Sequence, residues 1–170
     1  MKTVVIYYSL TGNAAYVADA IADYLKCDRL ELKPQKAYPV KGARKFLWGG
    51  KSAVMSEAPE LEPFDFDPAA YDRAVLVTPV WAGTFAPPLR TFARQYGEAL
   101  RGKTLAAAAC SSGGRAEKAL DKLAAALGAG PFADRVSLVD PHARPDLSTE
   151  EKLALFCQRL NGEIPGGAAI

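Results

Sequence analysis

From Thr3 to Tyr8 the chain reads TVVIYY, an apolar, β-branched run without a charge. A continuous run of this length, as opposed to an alternating one, predicts a parallel strand buried on both faces. After a short polar turn the period changes. Ala14, Val17, Ala18, Ile21 and Leu25 recur at helical spacing. The same alternation then repeats along the chain. Arg29 to Lys33 predicts a short second strand, and Ala74 to Thr78 a third, with Pro79 as its expected end. Leu89, Phe92, Ala93, Tyr96 and Leu100 form a helical stripe opened by Pro87 and Pro88. Thr104 to Cys110 predicts a fourth strand, although its alanines suit a helix equally well in isolation. Ala116, Ala119, Leu120, Leu123 and Leu127 give the next stripe, stopped by Gly128. Arg135 to Val139 predicts a fifth strand. Ser148 with Glu151 predicts a capping box for a last helix carrying Leu153, Phe156, Cys157 and Leu160.

Repeated strand-to-helix steps predict a three-layer, doubly wound α/β fold with a five-stranded parallel sheet. The flavodoxin-like order 2-1-3-4-5 suits this length. The Rossmann order would call for a sixth strand and a G-x-G-x-x-G turn, which the chain lacks. The segment from Lys33 to Phe66 is less regular. Lys33, Lys36, Lys41, Arg44, Lys45 and Lys51 occur with no acid among them, then Glu57, Glu60, Glu62, Asp65, Asp67 and Asp72 with no base. Ala43, Phe46, Leu47, Gly50 and Val54 keep helical spacing across the basic part. A helix with a solvated basic face and an acidic loop accounts for this, as does a docking surface for a charged partner.

Composition narrows the class without naming a chemistry. The 170 residues are 49% apolar and 24% charged, which fits one globular domain spanning residues 1–170. No apolar run is long enough to span a bilayer, and the N-terminus passes directly into a strand without signal-peptide features. Cys27, Cys110 and Cys157 are widely spaced and odd in number, so a reducing, cytoplasmic setting is expected, without a disulfide framework or a zinc site. The formal charge of +2 gives no reason to expect nucleic acid. His142 is the single histidine, in a proline-flanked loop, so neither a metal centre nor a hydrolytic triad is expected.

In a doubly wound sheet the ligand lies at the carboxyl ends of the strands, beside the switch point. The loops there read SLTGNA from Ser9, TPVWAGTFAPP from Thr78 and CSSGGRA from Cys110. In the first, Ser9 and Thr11 offer hydroxyls, Gly12 admits close backbone approach, and the following helix begins with unpaired, partly positive N–H groups. Together these suit a phosphate held by neutral donors. No Gly-Lys-Ser/Thr follows, so this is not a Walker A loop. A plain turn that uses Thr11 or Asn13 as an N-cap would leave the same trace. The third loop is a glycine-rich turn whose N–H groups could face a ligand. Cys110 and Arg115 are separated by four residues and followed by Ala116, which does not fit a cysteine phosphatase.

These three segments resemble the flavodoxin-like FMN-binding family over nearly the whole chain. SLTGN is similar to that family's phosphate loop, S/T-x-T-G-x-T/S. The resemblance implies FMN as cofactor. Ser9, Leu10, Thr11, Gly12 and Asn13 would hold its phosphate, with Ala14 standing where the family has a hydroxyl. Thr78, Pro79, Val80, Trp81, Ala82, Gly83 and Thr84 would bracket the ribityl chain and ring from one side, and Cys110, Ser111, Ser112, Gly113 and Gly114 from the other. Trp81 could stack on the ring, or pack against the third loop or a partner. A peptide near Gly83 could turn its carbonyl toward the ring on one-electron reduction.

Two redox functions follow from the resemblance. One is electron transfer between partner proteins. The other is an NAD(P)H-dependent quinone or related flavin oxidoreductase, a type often built as a homodimer. A flavin-less binding protein is a third, supported by Ala14 alone. Carrier flavodoxins are typically acidic, whereas this chain has a pI near 8.4.

Overall fold

The computed structural model describes residues 1–39, 57–113 and 116–165. The helical spacing at 43–54, the cations Lys41, Arg44, Lys45 and Lys51, and Gly114 with Arg115 lie outside the described residues. Five strands run parallel: β1 (Thr3–Tyr7), β2 (Asp28–Glu31), β3 (Arg73–Trp81), β5 (Thr104–Ser111) and β6 (Asp134–Val139). Their order is β2-β1-β3-β5-β6, which is the expected 2-1-3-4-5 once a short hairpin strand, β4 (Thr84–Phe85), is set aside.

Alternate residues of the central strands point to opposite faces, and each face is covered by two helices. On one face Val4, Ile6, Leu76 and Ala107 pack with Leu89 and Phe92 of α2 (Pro87–Tyr96) and Leu120 and Leu123 of α3 (Ala116–Ala126). On the other, Val5, Val75, Val77 and Ala108 pack with Val17 and Ile21 of α1 (Asn13–Leu25) and Leu153 and Phe156 of α4 (Leu147–Asn161). This double coverage explains the unbroken apolar runs. It also settles the alanine-rich segment. Ala106 to Ala109 are fully buried in β5, between β3 and β6, where helix propensity yields to sheet pairing and two-sided burial.

Several boundaries differ from expectation, and β3, β2 and the last helix differ most. Pro79 does not end β3, which continues to Trp81 and turns into β4. β1 pairs with β3 only as far as Tyr7 opposite Val77, and the Val77 carbonyl accepts from Tyr8 N at 3.4 Å. By alternation the Pro79 nitrogen faces that same side, beyond the end of β1, where no ladder bond is lost. β2 starts one residue earlier and ends two residues sooner than the apolar pattern suggested, as suits an exposed edge strand. The last helix is not opened by the Ser148–Glu151 box. Asp146 is its N-cap, accepting from Thr149 N at 2.8 Å, and these N–H bonds hold its carboxyl below the usual range. Ser148 already lies inside the first turn.

The acidic segment after residue 57 is irregular but anchored. Thr91 Oγ1 donates to the Pro59 carbonyl at 2.6 Å, and Phe66 packs against Phe92 and Tyr96 at ring separations of 5.4 and 5.1 Å. Phe156 is fully buried and Leu147, on the same helix, is 78% exposed. Phe156→Ala is expected to cost about 3–5 kcal/mol, against under about 0.5 kcal/mol for Leu147→Ala. Urea denaturation of the two variants checks this; similar midpoints would contradict the packing of α4.

Candidate cofactor site

The loops leaving β1, β3, β5 and β6 converge on a cavity of about 370 Å³. It is lined by Ser9, Leu10, Thr11, Asn13 and Ala14 from the first loop, by Pro79, Val80, Trp81 and Ala82 from the second, and by Cys110, Ser111 and Ser112 from the third. Asp140, after β6, completes the wall. Gly12, Thr78, Gly83, Thr84 and Gly113 belong to the same loops but are not part of the lining.

Gly12 is the N-cap of α1, with φ of 93° and no side-chain cap bond. Neither Thr11 nor Asn13 therefore caps the helix, and its first N–H groups open toward the cavity uncapped. The Gly12 N–H donates to Ser9 Oγ at 3.2 Å, which leaves the Ser9 hydroxyl proton for a ligand. Gly12 is required for two reasons. Its φ is in the left-handed region, and a Cβ there would lie 3.1 Å from Cδ2 of His142. His142, expected in a plain loop, thus packs against the first turn, with its ring 5.8 Å from that of Tyr16. The Asn13 side chain fastens this loop: Oδ1 accepts from His142 N at 2.9 Å and Ala143 N at 3.1 Å, and Nδ2 donates to Asp140 Oδ1 at 3.4 Å.

The second loop is a tight hairpin. Trp81 pairs with Thr84 across Ala82 and Gly83, whose φ angles are 50° and 72°. Two positive φ values in a two-residue loop are the mark of a type I′ turn. Thr78 is fully buried and its hydroxyl is used structurally, accepting from Ala86 N at 3.0 Å and donating to the Pro79 carbonyl at 3.0 Å. Lys122 Nζ of α3 donates to the Gly83 carbonyl at 3.1 Å. Trp81 meets Tyr8 and Tyr38 edge-to-face, at 5.7 and 5.1 Å between ring centroids, so tyrosines fix the indole at the cavity wall.

In the third loop Ser112 Oγ donates to Asp140 Oδ1 at 3.0 Å. Burial, aided by the Asp140 charge, pushes the Cys110 thiol up to about 12, so it is no nucleophile near neutral pH. Asp140 is the lining residue that sequence reasoning missed. An aspartate just past a strand end is an ordinary turn residue, and no spacing signal connects it to Asn13 or Ser112. Among the described residues, no cluster of His, Cys, Asp and Glu could hold a metal, and no helix is long and apolar enough to cross a membrane.

A parallel sheet in this order, with its cavity at the switch point between β1 and β3, defines a flavodoxin-like α/β fold. The sequence matches the NADPH-dependent FMN reductase family over residues 1–143, and the chain belongs to that family. No curated protein matches it. Solved structures with the same fold include a flavoprotein from Lactobacillus acidophilus in complex with FMN. That structure is 20% identical with a TM-score of 0.70, over 90% of this chain and 98% of that one. A flavodoxin from Archaea is 14% identical, TM-score 0.58, over 96% and 98% of the two chains. A flavodoxin from Streptococcus pneumoniae is 18% identical, TM-score 0.55, over 96% and 100%. The family identifies FMN as the cofactor. The cavity fits that group: an uncapped helix start and neutral hydroxyls suit a phosphate, and the volume and the aromatic wall suit a ring.

Gly12→Ala combines backbone strain with crowding of His142, whereas Gly102→Ala, at φ 79° with nothing within 4 Å, carries strain alone. Both are expected to lower stability, by about 1–2 kcal/mol for the strain, and Gly12→Ala by more. Adding His142→Ala to Gly12→Ala should recover the difference in urea denaturation. No recovery would mean the imidazole does not press on this turn.

Proposed function

We propose that this protein is an FMN-dependent oxidoreductase that accepts hydride from NAD(P)H and delivers electrons to a quinone or similar acceptor. FMN is bound non-covalently and supplies the redox chemistry. The N–H groups that open α1 and the Ser9 and Thr11 hydroxyls would hold its phosphate. The Trp81–Ala82 wall and Ser111 and Ser112 of the third loop would bracket its ring. The side chains of Asn13 and Thr78 already make hydrogen bonds that fasten the loops around it.

The observation that carries the choice of reductase over one-electron carrier is the Ala82–Gly83 turn. A carrier benefits from a peptide that can reverse its carbonyl beside the ring. Reversing the central peptide of a type I′ turn gives type II′, whose first central position favours glycine. Ala82 occupies that position, and its Cβ opposes the reversal. Lys122 anchors the next peptide of the turn through the Gly83 carbonyl. A turn fixed in this way suits a cofactor exchanging electrons in pairs. Family membership and the basic pI support the same choice.

The purified protein is expected to be yellow, to release FMN on denaturation, and to be bleached by NADPH or NADH with turnover on a quinone. Bleaching only by a protein donor, with two separate one-electron steps in a reductive titration, would make it a carrier. Colourless protein that cannot be reconstituted with FMN would leave a flavin-less binding protein. Thr11→Val is expected to weaken FMN binding by about 1–3 kcal/mol through loss of a phosphate donor. Fluorescence titration measures this, and unchanged affinity would place the phosphate elsewhere.

A further inference from the structure

Asp140 differs in kind from the rest of the cavity wall, which is built of hydroxyls, an amide, a thiol and apolar groups. It is an acid, only 7% exposed, and it follows β6 with φ of 39°. Its Oδ1 accepts from Ser112 Oγ at 3.0 Å and from Asn13 Nδ2 at 3.4 Å, and its Oδ2 accepts from Arg144 Nε at 3.0 Å and from Arg144 Nη2. One carboxylate therefore touches the loops after β1, β5 and β6. The two charges of the pair are not equally shielded. The Asp140 side chain is 11% exposed and that of Arg144 is 67% exposed. Water screens the guanidinium on the outside, while the carboxylate acts across a poorly hydrated wall. Asp140 thus places a partly shielded negative charge in the cavity wall.

Resting on the placement of FMN in this cavity, we infer that Asp140 is a positioning residue with an electrostatic role. It fastens the three loops, and its charge lowers the site's preference for reduced over oxidised FMN. Arg144 sets how far that bias extends. The physical basis is simple. The reduced cofactor carries more negative charge than the oxidised one, and a fixed anion in a low-dielectric wall disfavours the more negative form. Asn13 and Ser112, as neutral donors, spread this charge without cancelling it.

The test is a reductive titration of the holoprotein against a reference dye, with dissociation constants for oxidised and reduced FMN. Asp140→Asn removes the charge and keeps an acceptor for Ser112. It is expected to strengthen binding of reduced relative to oxidised FMN by about tenfold, a positive shift of about 30 mV for a two-electron couple. Arg144→Gln exposes the carboxylate and is expected to shift the potential the other way. A structural role alone would lower the melting temperature and weaken both redox forms alike, with the potential unmoved in both variants; that result overturns the inference. If Asp140→Asn does not fold, Arg144→Gln decides the matter by itself: a negative shift supports the inference and an unmoved potential overturns it. Native protein that binds no FMN, seen before any variant is made, would overturn the functional proposal as well.

Discussion

The whole site depends on β1 lying between β2 and β3 in a parallel sheet. With β1 in that place, the chain leaves its carboxyl end toward α1 on one face, while β3 leads to α2 on the other. The loops that start from these neighbouring strands must diverge, and a crevice opens between them. Nothing in the loops creates this opening. It follows from strand order and from the right-handedness of the crossovers. The buried runs of β1, β3 and β5 fix the order, because each needs both faces covered and none can serve as an edge. The charged, partly exposed β2 can, and it lies outermost beside β1.

Given the crevice, the polar residues around it divide into two groups. Thr78, Asn13, Asp140 and Lys122 spend their hydrogen bonds on the protein itself, holding β4 to β3, the first loop to the turn after β6, and the hairpin to α3. Ser9, Thr11 and the backbone opening α1 retain donors for a ligand. This division lets a site with few charges be held by bonds made within the protein. The anchoring bonds are made before any ligand arrives, so binding does not have to order the loops.

Much of this was legible in the sequence. The apolar runs marked the strands, and SLTGN after such a run marked the first loop of the cavity. What was hidden depends on tertiary contact or on a competing local rule. Val80-Trp81 and Thr84-Phe85 flank a two-residue turn, yet Pro79 masked the hairpin because a proline reads as a strand end until the end of β1 is known. Ser148 and Glu151 form a sound capping signature, but Asp146, two residues earlier, captured the helix start. Asp140 and His142 gave no signal because their partners lie near residues 12–16 and 112, far away in the chain. Thr78 was assigned to the wall on position alone, and only its burial reveals that its hydroxyl faces the fold.

Backbone strain points to the same place independently. Among the described residues, Lys26, Ala82 and Asp140 are the non-glycine residues with positive φ. Lys26 closes α1 as a left-handed C-cap, a common role at a helix end. Ala82 takes its positive φ from the type I′ turn and Asp140 from the turn after β6, and both line the cavity. Each conformation costs about 1 kcal/mol or more and persists only where its surroundings over-determine it. Around Ala82 those surroundings are the Trp81–Thr84 pair and the Lys122 bond to Gly83; around Asp140 they are Ser112, Asn13 and Arg144. Both positive-φ positions therefore fall in the loops that bound the cavity, one after β3 and one after β6, where hydrogen bonds from other elements hold the backbone in place.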